Sequence, residues 1–176
     1  RSPAAGSTRA TAASTWASRR TDVDAVRAAV ARLAAANART ELRVDLAPGR
    51  GLRRGSWRMV PRGVVWRLGA LCLDETGALF ATGQVLVVTP PTHPNFRSSL
   101  ALQRNELRRL AARAGIAPGQ TVIVDARPLD PTADALDAPL AATPGGVGVV
   151  WAAGATPTPL APYLEERVAL LLDPPG

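Results

Sequence analysis

The chain has 176 residues, 47% of them hydrophobic, and 21 basic against 14 acidic side chains give a formal net charge of +7. That size and apolar content predict one domain with tails and exclude wholesale disorder, and no apolar run reaches the roughly 18 to 20 residues of a membrane helix. No charged and apolar leader opens the chain, so the expectation is a cytoplasmic protein with no membrane partner.

Residues 1–20 hold Ser, Thr, Ala, Gly and Arg with one Pro3, one Trp16 and no acid, and are expected to form a disordered basic leader. The lack of an initiator Met and the Arg/Ser/Ala composition superficially resemble a transit peptide, with a plain flexible tail as the simpler expectation. Residues 21–176 read as a single α+β domain. Thr21 is an N-cap candidate followed by Asp22 and Asp24, and a helix to about Ala38 carries Val23, Val26, Val30 and Leu33 on one stripe. Leu42–Leu46 reads as a short strand and Pro48–Gly55 as a Gly/Arg loop.

Val64–Leu73 and Ala78–Val88 read as two strands of a central hairpin turning at Asp74–Gly77, with Gly83 as a possible bulge in the second. In that register Trp66, Leu68, Ala70 and Cys72 share one face, and Val65, Leu71 and Leu73 the other. After a proline-rich loop, a helix is predicted from Ser98 or Ser99 with Leu100, Leu107, Leu110, Ala111 and Ala114 on its apolar stripe, stopped by Gly115 and Pro118. Thr121–Ala126 is a predicted strand, residues 127–146 a variable loop, and Val147–Ala152 another strand. Thr158 as N-cap and Pro159 at the first helical position open a last helix ending at Pro174, with Leu160, Leu164, Val168 and Leu171 inward. The order predicts a two-layer α+β sandwich, a mostly antiparallel sheet with a central hairpin and about three helices, with a partly parallel sheet and crossover helices as the alternative.

Trp66-Arg67-Leu68-Gly69, the run Gly77-Ala78-Leu79-Phe80-Ala81-Thr82-Gly83, and Tyr163-Leu164-Glu165-Glu166-Arg167-Val168 with Leu170-Leu171-Leu172 and Pro174-Pro175 together resemble a group of short actinobacterial proteins. Some of that group carry the name glutaminase. The resemblance covers roughly Val64 to Pro175, matches the middle loop poorly, and brings no catalytic residue with it. The name implies a glutaminase-type amidohydrolase as the alternative to a binding role.

The chemistry open to this chain is restricted, because every basic residue is arginine. Schiff bases, the P-loop phosphate lysine, the kinase strand lysine and the Ser-x-x-Lys pair of serine-dependent amidases all require a lysine. One cysteine and one histidine leave no internal disulfide and no His/Cys zinc set, so no metal and no cofactor is expected. Cys72 and His93 are the only thiolate and imidazole available to an amidase, with Asp125 or Asn95 as the orienting group. Cys72 lies among leucines, where cysteine usually behaves as a small buried hydrophobe. Asp125 ends an apolar strand, a place where an acid can meet a cleft or simply pair with Arg127.

Charge is the remaining signal. Residues 1–67 hold 14 Arg and 4 acids, whereas residues 68–176 hold 7 Arg and 10 acids. Within the basic part, Arg50, Arg53, Arg54, Arg58, Arg62 and Arg67 are interleaved with Trp57, Met59 and Trp66. Guanidinium for phosphate or carboxylate and indole for stacking suit nucleic acid or an acidic protein. The expected function is non-catalytic binding of such a partner through Arg50, Arg53, Arg54, Trp57, Arg58 and Arg62, against the plainer reading of a solvated arginine loop in an arginine-rich chain.

Overall fold

A computed structural model describes residues 7–49, 56–90 and 99–175, with side chains from Arg20 onward. The chain divides into two compact units, which it enters alternately: unit 1 is Arg1–Arg39, Trp66–Ala81 and Pro128–Gly176, and unit 2 is Thr40–Val65 and Thr82–Arg127. Both are α+β.

Unit 1 opens with helix α1, Ser7–Ala35. It begins well before the expected start at Thr21, and the stretch expected to be a disordered leader enters it from Ser7. No glycine or proline interrupts Ser7–Ala35, and alanine has the highest helix propensity, so nothing local stops the helix at Thr21. The stop is at Asn37, which has φ 46°; Ala38 N–H donates to Leu33 O and Asn37 N–H to Ala34 O, a left-handed closure of the last turn. Val26, Ala29 and Leu33 are the buried stripe.

The predicted hairpin is a three-stranded meander instead. Strand β2 (Trp57–Leu68) runs from unit 2 into unit 1, reverses at Gly69–Ala70 into β3 (Leu71–Leu73), and β3 turns into β4 (Leu79–Ala81). The second turn is the predicted one: Asp74 Oδ1 accepts hydrogen bonds from Thr76 N–H, Thr76 Oγ1 and Ala78 N–H, an Asx-type closure. The reversal at Gly69–Ala70 pairs Trp66 with Leu73, Arg67 with Cys72 and Leu68 with Leu71. Trp66, Leu68, Leu71 and Leu73 therefore share the core face, and Cys72, opposite Phe80, faces the other way, which corrects the face assignment made for a continuous strand.

Tyr163 holds this reversal. Its hydroxyl donates to Leu68 O at 2.8 Å and accepts from Ala70 N–H at 2.9 Å, so both backbone groups are satisfied inside the fold. Gly69, at φ +71°, lies where a Cβ would come 2.8 Å from the Tyr163 hydroxyl. Strand β8 (Leu140–Thr143) falls in the region expected to be loop, β9 (Gly146–Val149) coincides with the start of the predicted Val147–Ala152 strand, and β10 (Thr158–Pro159) completes an antiparallel sheet ordered β10-β9-β8. The remaining strand here, β7, is Arg127–Leu129. Helix α3 (Leu160–Leu172) follows with Pro159 as N-cap at φ −52°, ψ 143° and no side-chain cap, so Thr158 is the end of a strand and not the cap. Leu160, Tyr163, Leu164 and Val168 face the core beside α1.

In unit 2, β1 (Glu41–Pro48) lies between β6 (Thr121–Val124), which it joins in parallel, and the first part of β2, which is antiparallel. Strand β5 (Gln84–Val87) pairs antiparallel with β6 and forms the edge. The predicted Ala78–Val88 strand is thus two strands separated at Gly83, where a Cβ would stand 2.0 Å from Val124 O. Two backbones meet there, and only glycine permits the approach. Helix α2 (Ser99–Arg113) covers one sheet face through Leu107, Leu110 and Ala111 against Val44, Met59, Leu86, Val122 and Val124. Leu100, expected in that stripe, is 66% exposed.

Candidate functional site: a tryptophan and arginine cleft in unit 2

Strands β1 and β2 set Leu46 opposite Met59, Ala47 opposite Arg58 and Pro48 opposite Trp57. Gly49 N–H donates to Ser56 O at 2.6 Å and closes this end of the ladder. Because side chains alternate along a strand, Trp57 points to the same side as Met59. Met59 is buried under α2, and Trp57 is 56% exposed. The last turn of α2 brings up Leu110, Arg113 and Ala114, and the space so enclosed is a cleft of about 410 Å³.

The buried part of its lining is apolar, Met59 and Leu110. The exposed part is an indole and two guanidinium-bearing residues, Trp57, Arg58 and Arg113. Arg113 lies 3.3 Å from Glu106 and Arg109 lies 3.7 Å from the other oxygen of the same carboxylate, so one negative charge serves two positive ones. All three side chains are about half exposed, and pairs of that kind contribute little and exchange readily for another anion. Among the described residues, no carboxylate pairs with Arg58.

The residues expected from sequence to form a binding surface separate in the structure. Trp57 and Arg58 both border the cleft, at the strand end, where the Arg58 side chain leaves β2 on the face opposite to Trp57. Arg62 Nε donates to Asp45 Oδ2 at 2.7 Å, and its carbonyl accepts from Arg43 Nη2 at 3.2 Å, so its guanidinium ties β2 to β1. Met59 and Trp66, the other interleaved side chains, are core residues; Trp66 Nε1 donates to Ala38 O. Arg50, Arg53 and Arg54 lie outside the described residues.

Of the weaker candidates, Cys72 is fully buried, and His93 and Asn95 lie outside the described residues. Asp125 is at φ 54°; its Oδ1 accepts from Leu46 N–H at 2.8 Å and its own N–H donates to Val44 O at 2.9 Å. It extends the β1–β6 ladder past the end of the strand. Among the described residues, no group of His, Cys, Asp and Glu is placed to hold a metal ion, and no helix is long and apolar enough to cross a membrane.

Among the described residues, Asp22 and Tyr163 have displaced pKa values, both in unit 1 and both bonded to backbone. Burial pushes the Asp22 carboxyl up against the opposing effect of its bond from Val147 N–H. Burial likewise raises the Tyr163 phenol, partly offset by Ala70 N–H and by Arg167, whose guanidinium stands 5.4 Å from the ring centre.

The sequence reading missed Arg109 and Arg113. The signal was there: Arg104 and Arg108, and Arg109 and Arg113, are pairs at the helical spacing of four. They fall in the half of the chain where acids outnumber arginines, which hid them. No family model matches the chain, and no curated protein or solved structure matches it.

Proposed function

We propose that the protein is a non-catalytic binding module that engages an anionic partner through unit 2, at the cleft of Trp57, Arg58 and Arg113. The observation that carries this reading is where the charge lies. Unit 2 has twelve arginines against four carboxylates, a balance of +8, while unit 1 has nine against ten, a balance of −1. The whole surplus of the chain therefore belongs to the unit that also exposes an indole beside arginines. A concentrated positive surface attracts polyanions and steers their encounter.

Heparin chromatography of the purified full chain tests the reading. Retention to a high salt concentration is expected, with the Arg58→Ala/Arg113→Ala variant eluting earlier while its melting temperature stays within about 2 °C of the parent. Elution of both proteins in the void, or identical retention of the two, would overturn it. Ammonia release from glutamine by the same preparation would overturn the non-catalytic part and favour the amidohydrolase.

A further inference from the structure

We infer that the partner of the cleft is a single-stranded nucleic acid, one base stacking on the Trp57 indole above the apolar lining, with one adjoining phosphate on Arg113 and the next reaching Arg58 around the end of the strand. The inference rests on the anion-binding reading and names its ligand. Charge alone would suit any polyanion; the indole narrows the choice. Trp57 is 56% exposed and Trp151 55%, whereas Trp66 is 6% exposed and committed to the core; of the two exposed indoles, Trp57 is the one that lines a cleft with arginines. Beside Trp57 the cleft offers Met59 and Leu110, an apolar surface suited to a flat ring and without complement for a carboxylate.

A ligand that alternates flat rings with anions at short intervals matches a site that alternates indole with guanidinium. An acidic peptide supplies the anions without the rings. A duplex keeps its bases stacked on one another and leaves no free ring face to the protein. The charge continues along α2: Arg109 is four residues before Arg113, on the same side of the helix. That pair gives the backbone beyond the stacked base a further cation to follow. Arg113 also lies in the last turn of α2, where its charge offsets the negative end of the helix dipole, which would otherwise oppose a phosphate.

Fluorescence anisotropy with the full chain tests this, using a labelled 12-nucleotide oligothymidylate, an abasic strand of the same length and charge, a 12-base-pair duplex and a polyglutamate peptide. The oligothymidylate is expected to bind more tightly than the abasic strand. Trp57→Ala should weaken it by about 5- to 150-fold, the range for losing one base–aromatic stack, and so bring it down toward the affinity of the abasic strand. Trp57→Phe should recover most of the loss. If Trp57→Ala fails to fold, the comparison of thymidylate with abasic strand on the parent protein decides. Equal affinity for those two strands, or tighter binding of polyglutamate or of duplex, would overturn the inference while heparin retention kept the anion reading intact. Loss of heparin retention as well would show that the anion reading itself had failed.

Discussion

Unit 1 holds nine arginines against ten carboxylates, and unit 2 twelve against four. Both units expose an indole, Trp151 in unit 1 and Trp57 in unit 2, but Trp57 is the one that stands beside arginines in a cleft. A chain that merely prefers arginine would spread its surplus over both units. Here the surplus follows the three-dimensional partition, and the partition is invisible along the chain because unit 2 is assembled from two separated segments. On the proposed reading unit 2 carries the interacting surface, and substitutions in the two units should then separate stability from binding.

The largest stability loss is expected in unit 1. Leu164, 1% exposed in the core between α1 and α3, should cost about 2–5 kcal/mol on truncation to alanine in urea unfolding, against roughly zero to 1 kcal/mol for Arg58→Ala. Equal losses would erase the contrast. Gly83→Ala is the exception within unit 2: with Val124 O only 2.0 Å from the new Cβ, β5 or β6 must shift, for a loss of about 1–3 kcal/mol. A variant as stable as the parent would mean that the strands slide freely past one another there.

Tyr163→Phe should cost about 1–3 kcal/mol, because Leu68 O and Ala70 N–H both lose their partner. It should also change the alkaline limb. Burial raises the folded-state pKa above the usual 10.0, so this contribution to stability is fully present below pH 10 and is lost as pH rises through the folded value. The phenylalanine variant should lack that loss, and melting curves between pH 8 and 11 read the difference. An unchanged alkaline limb would show that the phenol is not held in its protonated form.

Asp22 gives the smallest effect. Its carboxyl is raised by burial from 3.8, so the folded state favours the protonated form, and stability from this group is complete below pH 3.8 and declines as pH rises through the folded value. Asp22→Asn keeps an oxygen for Val147 N–H and removes the buried charge. Its melting temperature should exceed that of the parent at pH 7, by a margin that closes toward pH 3. A variant less stable than the parent at pH 7 would mean that the carboxylate charge itself stabilises the α1–β9 contact.

Much of the fold is legible in local sequence, where local chemistry decides it. Asp74-Glu75-Thr76-Gly77 forms the turn its residues prescribe, and the stripes of α2 and α3 appear as Leu107, Leu110, Leu160, Leu164 and Val168. The reversal at Gly69–Ala70 is different. Read locally, Val64 to Leu73 looks like one continuous apolar strand, because the group that closes the reversal, Tyr163, lies 93 residues beyond Ala70. Gly83 shows the same limit: a glycine in a strand signals some irregularity, and the backbone it must clear, at Val124, comes from far along the chain.

At the candidate site, Trp57 and Arg58 were legible as an exposed pair, while Arg62 could not be distinguished from them until Asp45 was found beside it. Arg113 was invisible for a further reason. Its helical spacing signals a basic face, but only the tertiary fold carries that face to the end of β2.

The central claim is that unit 2 binds a polyanion at this cleft, and the salt dependence of binding tests it most directly. Affinity of the full chain for oligothymidylate should fall linearly in log–log form with salt, and Arg58→Ala/Arg113→Ala should reduce the magnitude of the slope by about 1.4, the release of counterions from two phosphate contacts on a single strand. A folded double variant with the parent's affinity and slope would contradict the account and leave the arginine surplus of unit 2 without a role at this cleft.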